Sequence, residues 1–275
     1  MTGDDGRAMG IHVIKIGGNE MNAGGFLEAL AAGLARLAAD APLVVVHGGG
    51  QDIATLQSRL GIEPVKVDGL RVTDAESLAV AQMVLSGHTN KQVVRALLGA
   101  GLDAVGLSGV DGRLLTCRRK RHPTVDLGLV GEVTAVRGEL LQRLLAGGIT
   151  PVISPISLGV DGQTYNVNAD EAAGAIAAAL GAAQLDFVSN VPGVLAGGER
   201  LPQLTPDAAE ALIAGGVISG GMIPKVRTAL DALARGVPRV RIVDLAGLAG
   251  AAGTVFSGLT ADHGRQTTDH CLTDH

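Results

Sequence analysis

Residues 11–18 read IHVIKIGG, a run of β-branched apolar residues that ends in a lysine and two glycines. A run of this length predicts a buried strand, and the glycines predict a tight, open turn at its carboxyl end. An ammonium group inside a buried strand is costly unless a partner compensates it, so Lys15 is expected near the strand end, facing a polar cleft. Residues 43–50, LVVVHGGG, repeat the arrangement. Two such turns side by side, one carrying a lysine, predict a site for an anion.

The composition is that of a globular protein with an aliphatic core. Of the 275 residues 47% are hydrophobic but only 1% aromatic, so an Ala-rich core is expected to form one large domain or two lobes. The formal net charge of −5 and the few aromatic residues argue against a nucleic-acid partner. No apolar run approaches the ~20 residues of a membrane span, and residues 1–10 lack the apolar region of a secretory signal. A cytoplasmic location is therefore expected, with Cys117 and Cys271 as free thiols.

Hydrophobic periodicity and turn residues predict alternating strands and helices. Strands are predicted at the 11–18 run, 43–46, 104–107, 150–156, 185–189, 239–243 and, as a closing edge strand, 253–256. Helices are predicted at 24–40, 51–60, 74–85 with Thr73 as its cap, 89–98, 139–146, 171–180, 205–214 and from 219–225 to near Arg235. Hairpins are predicted at 64–72 and, as a pair, within 111–137. The strand–helix–strand order predicts a parallel sheet, with a lobe boundary at Gly181 and a flexible tail at 258–275.

The candidate anion site combines three groups of glycines. Residues 17–18 and 48–50 follow predicted strands, and residues 220–221 open a helix with Lys225 in its first turn. A helix N-terminus with free N–H groups and a lysine suits a phosphate. The second turn differs from a dinucleotide-binding turn because Ile53 stands where a third glycine would be, and the chain has no P-loop motif. Glycine turns are also common as purely structural elements, but the lysines favour the anion-binding interpretation.

Five motifs carry a resemblance to a known family: KIGG (15–18), HGGG (47–50), DGLRVTD (68–74), NVNAD (166–170) and GGMIPK (220–225). In this order they are similar to motifs of the amino acid kinase family and, within it, of the N-acetylglutamate kinases, over residues 11–256. The resemblance implies an α/β fold, namely a three-layer α/β/α sandwich with a mainly parallel central sheet and two lobes. Residues 11–181 would bind the acyl amino acid and dimerise, and residues 182–257 would bind ATP.

The reaction implied by this resemblance moves the γ-phosphoryl group of ATP to the side-chain carboxylate of N-acetyl-L-glutamate, a step of arginine biosynthesis. A carboxylate with a pKa of about 4 is ionised at neutral pH and needs no general base, so positioning and electrostatics must carry catalysis. By resemblance, Lys15 would hold the phosphoryl oxygens and Lys225 the leaving β-phosphate. Asp170 would lie between the two lysines and orient them, while Gly18 and Gly49 would donate backbone N–H groups.

Two binding sets follow from the same resemblance. For the acyl amino acid it implies Gly49 and Gly50, which let the substrate approach the backbone, Arg71 as a carboxylate clamp, and Asn166 and Asn168 as amide donors. Taken alone, the N-x-N pair would be a helix cap. The adenosine would contact Ser189, Asn190, Val191, Gly193, Leu195, Ser219, Gly220, Gly221 and Met222. Mg²⁺ is expected to arrive with ATP, held mainly by phosphates and water, so no dedicated metal site is predicted.

Three functions stay open from the sequence. N-acetylglutamate kinases usually have an acidic residue where this chain has Asn190. The SNVPG sequence at 189–193 is typical of kinases for carrier-linked α-aminoadipate in lysine biosynthesis, which need a basic surface such as RRKR (118–121) for their acidic carrier. The GLRVTD and SGGMIPK sequences instead favour acetylglutamate. A non-catalytic nucleotide- or amino-acid-sensing module is disfavoured because Lys15 and Lys225 are both present.

The histidines are interpreted structurally. His47, at the end of a buried strand, is expected to be packed and hydrogen-bonded rather than catalytic. His263, His270 and His275, with Asp269 and Cys271, belong to an unpatterned segment that does not favour a metal site.

A homodimer that arginine does not inhibit is the expected assembly. Arginine-inhibited hexameric members of the family carry an extra N-terminal helix and a C-terminal signature that contains glycine and an acidic residue. Only ten residues precede the first strand here, and AAGTVFSG (251–258) lacks the acidic element.

Overall fold

The computed structural model describes residues 10–18, 21, 24–67, 70–248, 250 and 252–258. Its helices are α1 (Phe26–Ala38), α2 (Gly50–Arg59), α3 (Ala75–Gln82), α4 (Asn90–Gly99), α5 (Gly138–Ala146), α6 (Ala169–Leu180), α7 (Pro206–Ala214) and α8 (Met222–Ala234). Its strands are β1 (His12–Ile16), β2 (Leu43–His47), β3 (Lys66–Val67), β4 (Leu70–Arg71), β5 (Ala104–Ser108), β6 (Leu115–Arg119), β7 (Val130–Val136), β8 (Thr150–Ser154), β9 (Ile156–Gly159), β10 (Thr164–Val167), β11 (Gln184–Val188), β12 (Leu195–Ala196), β13 (Glu199–Arg200), β14 (Gln203–Leu204), β15 (Val240–Val243) and β16 (Thr254–Phe256). Apart from Gly258, the predicted tail lies outside the described residues.

The central sheet contains eight strands in the order β14-β16-β15-β11-β1-β2-β8-β5. β1 pairs in parallel with both β2 and β11, so the chain extends the sheet first to one side of β1 and later to the other. Ligand sites in open α/β sheets form at such a switch point, beyond the carboxyl ends of the strands. The prediction of 253–256 as an edge strand is wrong: β16 lies between β15 and β14. The two residues of β14 are too few to give a pattern.

Helices cover both faces of this sheet, which confirms the α/β/α sandwich. One face packs around Val13 and Val46 of the sheet together with α5, α6, α7 and α8. The other packs around Ile14 and Val45 together with α1 and α4. Because side chains along a strand alternate between faces, Lys15 lies on the α6 face and His47 on the α4 face. This alternation decides which helix can supply a partner to each.

A continuous helical run replaces the two separate helices predicted at 74–85 and 89–98. α3 passes directly into a π-helical segment, Met83–Thr89, which passes into α4. The predicted cap is also wrong. Asp74 caps α3, since its carboxylate accepts the Ser77 N–H at 2.8 Å, whereas Thr73 is buried and bridges to Gly128. A π-helical turn does not follow the 3.6-residue period and therefore escapes a search for helical periodicity.

β6, β7, β9 and β10 close into a four-stranded barrel beside the sheet. Within residues 111–137 the structure has one hairpin, β6–β7, instead of the predicted two. The strand predicted at 150–156 is divided, because β8 ends at Ser154 in the main sheet and β9 begins at Ile156 in the barrel. Pro155 lacks an N–H and cannot continue a ladder of hydrogen bonds. The hairpin predicted at 64–72 is confirmed by the antiparallel pair β3–β4.

α6 is followed by its cap residue Gly181, which adopts a left-handed conformation with φ of 57°. The chain then enters β11, the first strand on the other side of β1. The lobe boundary at this glycine stays a prediction. None of the helices in the described ranges combines the length and apolar character needed to cross a bilayer.

Candidate active site

The first two glycine turns pack backbone against backbone at the carboxyl ends of β1 and β2. A Cβ placed on Gly18 would lie 2.6 Å from the Gly49 nitrogen and 2.7 Å from its Cα. Any side chain at position 18 would therefore force the two turns apart. Glycine is required here because the two turns approach each other closely.

These turns form one wall of a cavity of about 410 Å³ at the switch point. Its lining residues come from both halves of the chain: Lys15, Gly17, Gly18, Gly48, Gly49, Gly50, Ile53, Lys66, Arg71, Leu85, Val130, Pro155, Asn166, Val167, Asn168, Ala169, Asp170 and Lys225. The lining thus contains four cationic side chains and one carboxylate. Such a surface attracts an anion.

Lys15 lies at the carboxyl end of β1 and points to the α6 face. Its ammonium pairs with the carboxylate of Asp170 at 2.6 Å, and the two side chains are 15% and 25% exposed. Asp170 is in the first turn of α6, where the helix dipole favours a negative charge. This pair provides the compensation that a lysine in a buried strand requires.

Lys225 reaches the same cavity from the first turn of α8. Its ammonium donates to the Ser189 hydroxyl at 2.5 Å. Pro224 precedes it inside the helix, which is the predicted position in the first turn. Asp170 pairs with Lys15, whereas Lys225 is held by Ser189, so the structure does not display the expected carboxylate bridge between the two lysines.

Arg71 is half-buried and lines the cavity from β4. Its guanidinium donates to Gln57 Oε1 at 2.6 Å and to the Gly50 carbonyl at 3.1 Å. Burial lowers the pKa of this guanidinium, which still remains charged at neutral pH. Lys66, the register partner of Arg71 across the β3–β4 hairpin, also lines the cavity. Lys66 is not among the site residues predicted from the sequence, although cross-strand pairing in the predicted hairpin could have placed it beside Arg71.

The two asparagines of NVNAD differ in their surroundings. Asn166 lies on β10 and lines the cavity, with its amide 3.5 Å from the Thr73 hydroxyl. Asn168 caps α6: its side-chain oxygen accepts the N–H groups of Asp170 at 2.8 Å and Glu171 at 3.2 Å. The cap interpretation of the N-x-N pair is therefore correct for Asn168, which also lines the cavity.

The residues predicted to bind adenosine lie along two segments, 189–195 and 219–222, outside the lining of this cavity. Ser189 connects them to it through Lys225. Gly193 has a φ of 146°, and a Cβ there would lie 2.5 Å from the Thr254 hydroxyl. That hydroxyl also accepts the Val194 N–H at 2.8 Å, so β16 holds the loop in place. The nucleotide-binding role of both segments stays a prediction.

His47 is completely buried, as expected of a packed residue. Its Nδ1 lies 2.9 Å from the Gly48 carbonyl oxygen and its Nε2 lies 3.1 Å from the Asn90 amide nitrogen. Desolvation by burial, together with the nearby Lys91 charge, lowers the pKa of His47 to about 4, against a weaker opposing effect of the Gly48 hydrogen bond. The imidazole is therefore neutral at physiological pH.

Acid should destabilise the protein through this histidine. The folded-state pKa of about 4 lies below the ordinary 6.5, so the stabilisation is complete above pH ~6.5 and is lost as the pH falls toward 4. In this window the unfolding free energy of the wild type should fall more steeply than that of His47→Asn, by about 1.4 kcal/mol per pH unit. Urea unfolding at a series of pH values measures both slopes. Equal slopes would contradict the buried, neutral state.

The basic run 118–121 is largely neutralised within the protein. Arg118 pairs with Glu132 at 3.1 Å, Arg119 with Asp126 at 2.7 Å and Lys120 with Glu171 at 2.8 Å. These partners leave little unpaired positive charge for an acidic carrier protein.

Cys117 is a buried free thiol, and burial raises its pKa to about 12. The second cysteine predicted to be a free thiol, Cys271, lies outside the described residues, as does the histidine-containing segment at 263–275.

Comparison with known proteins supports the resemblance. The model of the amino acid kinase family matches residues 10–244, which is most of the chain. The chain belongs to this family. Its amino acid kinase relatives include the acetylglutamate kinase of Chloroflexus aurantiacus, 55% identical over 86% of this chain and 93% of that protein. The acetylglutamate kinase of a Roseiflexus species is 53% identical over 89% and 93%, respectively.

The amino acid kinase fold is also seen in a solved structure of similar extent. The structure of smu.665 from Streptococcus mutans superimposes with a TM-score of 0.78 at 29% sequence identity, covering 90% of this chain and 99% of that one. This amino acid kinase chain thus shares its overall fold with that structure.

Proposed function

We propose that this protein is an acetylglutamate kinase, which transfers the γ-phosphoryl group of ATP to the side-chain carboxylate of N-acetyl-L-glutamate. The products are N-acetyl-L-glutamyl 5-phosphate and ADP, and the reaction is a step of arginine biosynthesis. The proposal is supported by relatives of that name at 53–55% identity over most of the chain. The observation that carries it is the pair of ammonium groups, Lys15 on β1 and Lys225 on α8, that line one cavity from opposite halves of the chain.

Charge neutralisation is the central requirement of this reaction. The acceptor carboxylate is already ionised, so the protein must bring two anions together and stabilise the charge on the phosphoryl group in flight. In the proposal Lys15, oriented by Asp170, contacts the transferring group and Lys225 the leaving β-phosphate. The N–H groups of Gly18 and Gly49 add donors at the place where the two turns meet.

ATP is proposed to enter with Mg²⁺. The described ranges contain no group of three or more His, Cys, Asp or Glu side chains placed to hold a metal ion. Phosphate oxygens and water would therefore supply most ligands to Mg²⁺, which screens the phosphate charge. The adenosine is assigned to residues 189–195 and 219–222, in the lobe at 182–257.

The acyl amino acid is assigned to the lobe at 11–181. Arg71 would clamp a carboxylate, Asn166 and Asn168 would donate amide hydrogen bonds, and Gly49 and Gly50 leave room for the ligand beside the backbone. Arg71 is held in place for this task by Gln57 and by the Gly50 carbonyl.

Trapping of the acyl phosphate tests the proposal. The purified protein is incubated with Mg²⁺-ATP, N-acetyl-L-glutamate and hydroxylamine, and the hydroxamate and ADP are measured together. Equal amounts of both are expected. A parallel reaction supplies carrier-linked α-aminoadipate, and turnover of that substrate alone would replace the proposal by the lysine-pathway kinase. ATP binding without either product would favour the sensing module.

Truncation of Arg71 should impair acyl amino acid binding selectively. Arg71→Ala is expected to raise the KM for N-acetylglutamate at least about 30-fold, because loss of a half-buried charged clamp costs about 2 kcal/mol or more. The KM for ATP should change less than about 3-fold. Arg59→Ala, which removes a charge from the exposed end of α2, is the matched control. Unchanged affinity for the acyl amino acid in Arg71→Ala would remove this residue from the substrate site.

A cytoplasmic homodimer without arginine inhibition completes the proposal. A free thiol at Cys117 is consistent with a reducing compartment, and the AAGTVFSG segment lacks the acidic element of the arginine-sensitive members. Light scattering should report the mass of two chains, and millimolar arginine should leave the rate unchanged. A hexamer, or inhibition by arginine, would contradict this assignment.

A further inference from the structure

Behind the second glycine turn, polar groups link exposed Lys91 through two buried side chains to the turn itself, and the proposed reaction does not use them. The Lys91 ammonium donates to Asn90 Oδ1 at 2.9 Å, and the Asn90 amide nitrogen contacts His47 Nε2 at 3.1 Å. His47 Nδ1 in turn contacts the Gly48 carbonyl at 2.9 Å. Asn90 and His47 are both fully buried. The chain ends on a peptide group that lines the cavity.

The direction of every hydrogen bond in this chain follows from its two ends. Lys91 can only donate, so the Asn90 atom it contacts is the oxygen. The Asn90 nitrogen also donates to the Val152 carbonyl at 2.9 Å, and a carbonyl can only accept. That nitrogen is therefore a donor to His47 Nε2, which must carry no proton. The proton of the neutral imidazole lies on Nδ1 and is donated to the Gly48 carbonyl.

This bond sets the orientation of the peptide between Gly48 and Gly49. The described chain contains no cis peptide bond, so the Gly48 C=O and the Gly49 N–H point in opposite directions. A carbonyl held by the buried imidazole on the α4 face turns the N–H to the side where Gly18 approaches. The nearest heavy atom to a Cβ on Gly18 is the Gly49 nitrogen, at 2.6 Å.

The π-helical segment fixes the same turn from another direction. A Cβ on Gly49 would lie 2.7 Å from Leu85 Cδ2 and 3.2 Å from the Thr89 hydroxyl. Both residues belong to Met83–Thr89, which leads directly into Asn90. The widened helical turn thus places Leu85 and Thr89 against Gly49 and Asn90 against His47. π-Helical turns occur frequently at functional sites.

We propose that His47 and Asn90 are positioning residues, which hold the Gly48–Gly49 peptide so that the Gly49 N–H faces the reacting phosphoryl group. The inference rests on the proposed function, because the group that this N–H would stabilise is the one transferred from ATP. Neither side chain touches a reactant. Their effect passes through the backbone of the turn.

Two amide substitutions separate this role from simple packing. In His47→Asn the side-chain nitrogen occupies the place of the imidazole Nδ1 and can donate to the Gly48 carbonyl, whereas in His47→Gln it occupies the place of Nε2. His47→Gln should lower kcat at least about 10-fold with both KM values within about 3-fold, as for a group that acts in the transition state. His47→Asn should retain a larger fraction of the wild-type kcat than His47→Gln. The control is His12→Leu. His12 is the first residue of β1, at the end of the strand away from the cavity, so this variant should keep the wild-type kcat.

A packing role gives the opposite order, because glutamine fills the histidine site better than asparagine. A kcat for His47→Gln equal to or above that of His47→Asn would therefore overturn the proposal. Nitrogen NMR of the histidine-labelled wild-type protein determines which ring nitrogen of His47 carries the proton, without any substitution. The proton of His47 is expected on Nδ1, and a proton on Nε2 would overturn the assignment. Absence of acyl phosphate formation by the wild type would instead reject the proposed function and leave the tautomer result standing.

Discussion

Lys15→Ala and Lys225→Ala are each expected to lower kcat by about 100-fold or more. Both ammonium groups line one cavity and face a reaction in which negative charge must be stabilised in flight. Removal of one donor aimed at such charge typically costs two to three orders of magnitude, on the order of 3–4 kcal/mol. The measurement is the rate of hydroxamate formation at saturating ATP and N-acetylglutamate.

The two variants should differ in their side effects. Lys15→Ala leaves the Asp170 carboxylate without its 2.6 Å partner, so the remaining anion would also repel the phosphates. Lys225→Ala leaves only the neutral Ser189 hydroxyl without a donor. We therefore expect Lys15→Ala to be the more damaging change, and Asp170→Asn in the same background to recover part of its loss.

Arg36→Ala is the control for loss of one positive charge. Arg36 lies in the last turn of α1 and does not line the cavity. It should keep the wild-type rate. Near-normal turnover in Lys15→Ala or Lys225→Ala would exclude that lysine from the mechanism.

Asp186→Ala should destabilise the protein by about 3–5 kcal/mol. Asp186 and Arg241 form a two-bond ion pair at 2.7 and 2.9 Å between β11 and β15, with side chains 0% and 3% exposed. Arg241 also donates to the carbonyls of Leu248, Gly250 and Ala252, so it ties down the connection from β15 to β16. Removing the carboxylate leaves a buried guanidinium without its counter-charge, which accounts for the large cost.

The exposed pair of Glu210 and Arg227 is the matched control. Its atoms are 3.7 Å apart, and its side chains are 52% and 58% exposed. Glu210→Ala should change the unfolding free energy by less than about 0.5 kcal/mol, because water screens such pairs. Urea unfolding measures both variants. Similar losses in the two would mean that burial does not decide the strength of these ion pairs.

Much of the sheet could be predicted because its signals are local. The β-branched runs at 11–16 and 43–47 alternate toward two covered faces, and glycines follow each run. The helices α7 and α8 also began where Thr205 and Pro224 predict. Predictions of secondary structure failed where tertiary contacts overrode a local rule. Pro155 transfers the chain from the sheet to the barrel, and Thr73 is drawn into a bridge with Gly128, so that Asp74 becomes the cap.

In the candidate site, too, some residues could be predicted from local sequence motifs and others are placed only by tertiary contacts. Lys15, the glycine turns and Arg71 stand in motifs whose residue types already suit an anion, and Asp170 stands in a motif that offers a carboxylate to a lysine. Lys66 stands in no motif, and only the register of the β3–β4 hairpin brings it beside Arg71. The His47–Asn90 contact joins residues 43 positions apart, through a π-helical turn that leaves no periodic signal.

The sequence by itself determined the elements and chemistry that depend on neighbouring residues: buried strands, glycine turns, and lysines that need an anion or a carboxylate. Only the tertiary structure decided which of these groups meet. Strand order at β1 brings the two halves of the chain to one cavity, and side-chain alternation directs Lys15 to Asp170 and His47 to Asn90. Such pairings depend on register and on the close packing of distant segments, which a local pattern does not encode.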